Sequence, residues 1–151
     1  MHSGTFVIII AWGLSSLMGL IWNLRNLSLS LRSKYWNEVD CEIIESSVKI
    51  VQYRIKSYYP IISYRFKVNG LDYEGNRIKY GGTGGTESVA NDYCEKYPLG
   101  RIVKVSFDPM NHKRSVLEPG PSWRIFAALV LWLVLGAICV TGAWEYLEAN
   151  H

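Results

Sequence analysis

The sequence predicts a membrane protein of the α+β class. Two transmembrane helices flank a small, mainly antiparallel β domain with about five strands and one short helix, the sheet forming a partly closed barrel or sandwich. Three observations predict it. Two uncharged apolar blocks, residues 4–24 and 125–144, each reach the length of a bilayer span. All 16 Lys and Arg lie between Arg25 and Arg124, so the charge is confined to the middle of the chain. Within that middle, residues 35–121 alternate apolar and polar in short runs punctuated by turn-forming dipeptides. Whole-chain averages conceal this division. With 49% hydrophobic and 19% charged residues the chain reads as ordinary globular protein, which excludes a disordered polar chain. Three Cys exclude a disulfide-dense scaffold, and a net charge of +3 is too small to indicate a nucleic-acid partner.

The first block carries Phe6, Val7, Ile8, Ile9, Ile10, Leu14, Leu17, Met18, Leu20 and Ile21, and about 31 Å of helix crosses the hydrocarbon core. Its amino-terminal side has no Lys or Arg and its apolar run is long for a signal peptide, so a retained anchor is expected. Leu17, Leu20, Leu24, Leu27 and Leu31 step by three and four, which carries the helix on to about Ser33. That stripe reads as packing on the second span or on the β domain ahead of a homodimer seam, since it covers too few heptads for a coiled coil. Ser15 and Gly19 form a small-xxx-small pair suited to close helix approach, and a homo-oligomer stays open. The second block has Trp123 and Trp144 at its ends, where interface anchors sit. Arg25, Arg32 and Lys34 follow the first block; Lys113, Arg114 and Arg124 precede the second. The positive-inside rule then puts the β domain in the cytoplasm and both termini outside, with a bacterial inner membrane as the expected location. A reducing compartment suits Cys41 and Cys94, neither of which has a neighbour at metal-ligand spacing.

In the domain, Val39, Cys41 and Ile43 share one strand face, with Asp40 and Glu42 opposite. Ile62, Tyr64, Phe66 and Val68 share the face of a second strand, and Asn69-Gly70 supplies a two-residue turn. That turn sets Val68 against Leu71 and Phe66 against Tyr73. Beyond Gly75 the apolar parity shifts to Ile78 and Tyr80, which predicts a bulge at Gly75. Residues 87–97 read as a short helix with Thr86 as N-cap, ended by Pro98-Leu-Gly100. Val103, Val105 and Phe107 mark the next strand, Asp108-Pro109 a turn, and Ser115-Val-Leu117 the last strand.

Candidate chemistry is sparse. The loop Gly81, Gly82, Thr83, Gly84, Gly85, Thr86 precedes a helix, where anions bind, but it lacks the Lys-Ser/Thr of a P-loop and the βαβ setting of a dinucleotide site. A plain loop is favoured over a ligand loop. His112 reads as a turn residue, and Glu38, Asp40, Glu42 and Glu45 as a solvated strand face. No nucleophile motif, cofactor fingerprint or metal cluster is expected, and catalytic residues are expected to be absent. Lys49, Arg54, Lys56, Arg65 and Lys67 interleave with Tyr53, Tyr58, Tyr59 and Tyr64. Such a basic-aromatic surface can meet anionic lipid headgroups or a protein partner, and otherwise serves as a soluble face.

Three stretches resemble the family numbered 3592 among the domains of unknown function: Tyr64-Arg-Phe-Lys-Val-Asn-Gly70 with Tyr73-Glu-Gly75, Tyr97-Pro-Leu-Gly100 through Asp108-Pro109, and Ser115-Val-Leu-Glu-Pro-Gly120. Trp36 and Val39 fit its start, so the resemblance covers about residues 36–120. Met110-Asn-His112 stands where relatives commonly have Asn-Pro. The resemblance implies a small membrane-anchored β domain and brings no activity, cofactor or catalytic residue. The expected function is a non-enzymatic, membrane-anchored interaction or accessory module, of immunity type in one version. Its β domain would bind a protein partner or the membrane face. The alternative is a membrane-tethered small-ligand or anion sensor or enzyme using the 81–86 loop.

Overall fold

The computed structural model describes residues 3–52 and 54–148; for residues 3–6, 8, 9, 146 and 147 it describes the backbone alone. The elements run α1 (Ser3–Ser33), β1 (Asn37–Gln52), β2 (Lys56–Val68), β3 (Leu71–Gly75), α2 (Glu87–Lys96), β4 (Ile102–Asp108), β5 (Asn111–Val116) and α3 (Trp123–Glu148). The chain divides into two compact units, and the boundary falls inside α1 after Ser28. One unit holds α3 with α1 up to Ser28, and the other is Leu29–Ser122.

In the helical unit, α1 and α3 approach closely because α1 presents small residues. Gly19 lies against the ring of Trp132, leaving no room for a Cβ. The Ser16 hydroxyl donates to the Trp132 carbonyl at 3.1 Å, and a Cβ on Gly136 would stand 3.2 Å from that hydroxyl. Gly19 thus serves an intrachain contact, with Ser16 as its polar companion in place of the expected Ser15. Among the described residues, one helix is long and apolar enough to cross a membrane, Trp123–Glu145, and only 6% of its most apolar stretch is buried. The expectation of two spans is thereby corrected to one. The apolar run of α1 is concentrated in residues 6–10, where most side chains are not described, and a window starting at Ile10 takes in Asn23, Arg25 and Asn26.

The sheet unit is a five-stranded antiparallel sheet of order β3-β2-β1-β4-β5. Asn69 and Gly70 take φ of 50° and 81°, the left-handed values a tight hairpin needs, and set Val68 opposite Leu71 and Phe66 opposite Tyr73 as the sequence predicts. Cys41, Ile43, Ile62, Tyr64, Phe66, Val105 and Phe107 form one buried face, with Ile78, Tyr97 and Leu117 closing over it. The sheet is not closed, which corrects the partly closed barrel. β3 and β5 are short, five and six residues. Among the described residues they meet through side chains, Tyr73 hydroxyl to His112 Nδ1 at 3.4 Å. Past the strand ends, Leu117 and Glu118 donate backbone hydrogen bonds to Arg77 and Ile78, and α2 packs Tyr93 and Cys94 on the core.

The bulge is not at Gly75. β2 and β3 pair without interruption up to Tyr64 opposite Gly75, where β3 ends, and the register shifts lie in β1 between Ile43 and Glu45 and in β4 between Phe107 and Asp108. Gly75 is needed because a Cβ there would stand 2.5 Å from the Ser115 hydroxyl and 2.6 Å from the Tyr64 ring. Ile78 and Tyr80 are buried from an irregular segment, so their parity follows from the strand ending. The last residues of α1 belong to this unit: the buried Ser33 hydroxyl donates to Ser30 O at 2.7 Å and accepts from Gly120 N at 2.9 Å. Gly120 itself adopts φ of 106°.

Candidate functional site

The two candidate regions of the sequence meet in the structure. β1 leaves β4 at Glu42, and β2 leaves β3 at Tyr64. Beyond those points the two strands pair mainly with each other, from Glu45 opposite Ser63 to Gln52 opposite Lys56. The 81–86 loop joins this ribbon near its outer end, where Tyr58 lies opposite Ile50: Tyr58 and Gly85 exchange backbone hydrogen bonds of 3.1 and 3.0 Å. Gly84 lies against the Tyr59 ring, where a Cβ would have no room. Gly81 and Gly82 take φ of 89° and 80°. Thr86 caps α2, its hydroxyl accepting from Val89 N at 3.5 Å, and Glu87 supplies the acid that the helix start favours. Beside Glu87 the Tyr58 phenol is raised above its ordinary pKa, first by desolvation and then by that carboxylate. These contacts give the glycines packing and backbone reasons to be there, and they place an acid, not a cation, at the helix entrance.

The cations of the basic-aromatic surface divide into two groups. Arg65 is held by Glu74, with Nη2 at 2.8 Å and Nε at 3.1 Å, and Lys67 by Asp72 at 3.6 Å. Lys49, Arg54 and Lys56 lie on the outer ribbon and take part in no ion pair among the described residues. Tyr64 is not a surface residue: it is fully buried, and its hydroxyl donates to Arg77 O at 3.1 Å beside the Ser115 hydroxyl at 3.1 Å. Burial lifts its phenol well above the ordinary range. Tyr53 lies outside the described residues. Ile50 (57% exposed), Val51 (42%) and Ile55 (81%), which the charge pattern did not single out, complete the ribbon surface. The signal for them was available, because residues 48–55 break the polar-apolar alternation that burial would require.

Other polar clusters are built for structure. Glu118 gathers Lys96 at 2.6 Å, the Tyr97 hydroxyl at 3.1 Å and Lys79 at 3.8 Å, tying α2 to the segment after β5. His112 stands edge-on to Tyr73 and Phe107, centroids 5.5 and 5.4 Å away. Asp108 accepts from Met110 N at 2.9 Å, fixing the turn, and pairs with Arg114 at 3.6 Å. A cleft of about 370 Å³ between the end of α1 and that turn is lined by Arg32, Trp36, Asp108 and Arg114. Cys41, Cys94 and Cys139 are free thiols, and burial pushes the Cys41 thiol up to about 11. Among the described residues no three His, Cys, Asp or Glu stand together as a metal site would require.

The class these features define is a small α+β protein: a curled, open antiparallel sheet with an exposed ribbon, accompanied by an apolar helix able to anchor in a membrane. A model of the family described as Domain of unknown function (DUF3592) matches residues 39–122, which is more than half of the chain, and the protein belongs to that family. No curated protein matches it.

Proposed function

We propose that the protein is a non-enzymatic, membrane-anchored interaction module. The observation that carries this reading is the exposure of α3, whose most apolar stretch is only 6% buried. Twenty or so apolar side chains left in water would be prohibitive, and a bilayer relieves that cost. Lys113, Arg114 and Arg124, which precede α3, favour a cytoplasmic sheet unit, as in a bacterial inner membrane protein. The sheet unit then presents a binding surface at the membrane, and an accessory or immunity-type role toward a neighbouring membrane complex is the version favoured by small size and sparse chemistry.

Three experiments test the reading. Flotation of membranes after alkaline carbonate extraction should leave the chain with the vesicles, and its release would contradict the anchor. Affinity capture from solubilised membranes should return a reproducible partner. For orientation, an impermeant thiol reagent applied to intact cells should leave Cys94 unlabelled, and labelling would reverse the placement.

A further inference from the structure

We propose that the tip of the β1–β2 ribbon docks end-on into the headgroup layer of an anionic lipid surface. This rests on the reading of the protein as a membrane-anchored interaction module and names the partner of one part of it. Residues 46–71 contain Lys49, Arg54, Lys56, Arg65 and Lys67 and no acid. Arg65 and Lys67 are neutralised by Glu74 and Asp72, so the uncompensated charge is concentrated in the three cations at the tip. An anionic headgroup layer complements that charge, each basic residue near its surface contributing about fivefold in binding.

The distribution of apolar groups decides between a bilayer and a protein surface. The register sets Lys49 opposite Tyr59 and Val51 opposite Ser57, so these four share one face. Ile50 opposite Tyr58 and Gln52 opposite Lys56 share the other. Each face thus carries one lysine, one aliphatic residue and one tyrosine, and Arg54 with Ile55 occupies the turn between them. A protein interface on a ribbon would be expected to be one-sided, with a polar reverse face. The two tyrosines are held by the 81–86 loop and the start of α2, Tyr59 against Gly84 and Tyr58 beside Gly85 and Glu87. The lysine and aliphatic residue on each face, with Arg54 and Ile55 in the turn, leave matching chemistry on both faces of the outermost rungs, which suits a medium that surrounds them. Tyr and aliphatic side chains with snorkelling Lys and Arg are the mixture that the bilayer interface accommodates. The reach also fits: residues 49–52 extend about 13 Å at strand rise, against a headgroup layer of about 5–8 Å.

The test uses the full-length chain reconstituted in vesicles of phosphatidylcholine alone or with phosphatidylglycerol. With the photo-crosslinker p-benzoylphenylalanine in place of Ile55, irradiation should yield lipid adducts at least tenfold more abundant in the phosphatidylglycerol vesicles. The triple variant Lys49→Glu, Arg54→Glu, Lys56→Glu should lose that excess. Trypsin cleavage of the unsubstituted chain after Arg54 and Lys56 should slow in the same vesicles, a readout that needs no substitution. Equal adducts in both lipids, or adducts unaffected by the charge variant, would overturn the proposal. So would adducts in native membranes that are to protein instead of lipid, though the interaction-module reading would survive that outcome. Release of the chain by alkaline carbonate, in contrast, would remove the anchor while leaving the tip result to be read by itself.

Discussion

The same two strands build two unlike regions. Over Cys41–Ile43 and Tyr64–Phe66, β1 and β2 bury one face and solvate the other, and neighbours on both sides complete their ladders. Past Lys49, every described residue of β1 is exposed on either face, and β1 has lost its second neighbour. The inner region is held by hydrophobic burial and by polar groups with defined partners, such as the Tyr64 hydroxyl. The outer region is held by its own two-stranded ladder, by one backbone exchange with Gly85, and by the contacts of Tyr59 with Gly84 and of Tyr58 with Glu87. An isolated two-stranded ribbon is marginal in water, so apolar side chains kept there do little for folding. The comparison teaches that Ile50, Val51 and Ile55 are better explained by what they meet than by what they stabilise.

The largest expected contrast compares Ile43 with Ile50. Ile43→Ala empties a fully buried position and should lower unfolding free energy by about 2–5 kcal/mol, whereas Ile50→Ala should change it by less than about 0.5 kcal/mol. Denaturant titration of the full chain in detergent measures both, and equal effects would erase the distinction. Alkaline pH should act on the inner region through Cys41. Cys41 is raised from 9.0 to about 11, with burial as the largest cause, so the folded state favours the neutral thiol. Its contribution is complete below pH 9 and is lost as pH rises to about 11, amounting to about 2–3 kcal/mol. Tyr97, raised by burial to about 12, extends the decline. Cys41→Ala should flatten the fall in denaturation midpoint between pH 9 and 11.

The contact between the 81–86 loop and the ribbon comes next. Gly84→Ala must displace the Tyr59 ring and should cost about 1–3 kcal/mol. It should also loosen the 81–86 loop, seen as faster proteolysis there. A loop reserved for a ligand would instead tolerate the methyl group in stability and change only in binding. The smallest effect is expected from the triple variant of Lys49, Arg54 and Lys56, which should leave the denaturation midpoint unchanged because none of the three takes part in an ion pair among the described residues. A marked shift would mean that the ribbon cations support the fold.

Much of the inner region was legible in the sequence. Alternation named Val39, Cys41, Ile43, Ile62, Tyr64 and Phe66 as one face, and Asn69-Gly70 fixed the hairpin register, because both signals are local. The parity change after Gly75 was legible but misassigned, since a strand end and a bulge leave the same mark in one dimension. The shift between Ile43 and Glu45 was hidden by two adjacent isoleucines that satisfy either register. The contact of Gly84 with Tyr59 spans the chain from the ribbon to the loop and could not be read from spacing. Charge placement found the ribbon cations, but not that Arg65 and Lys67 are already compensated, which depends on their cross-strand partners Glu74 and Asp72.

Hydrogen–deuterium exchange on the full chain in phosphatidylglycerol-containing vesicles tests the central contrast most directly. The inner strands, residues 39–43, 62–66 and 103–107, should exchange slowly in detergent and in vesicles alike. Residues 47–57 should exchange quickly in detergent and become protected only in the anionic vesicles. Protection of residues 47–57 that is the same in both media would contradict the division into a self-sufficient sheet and a surface-seeking ribbon.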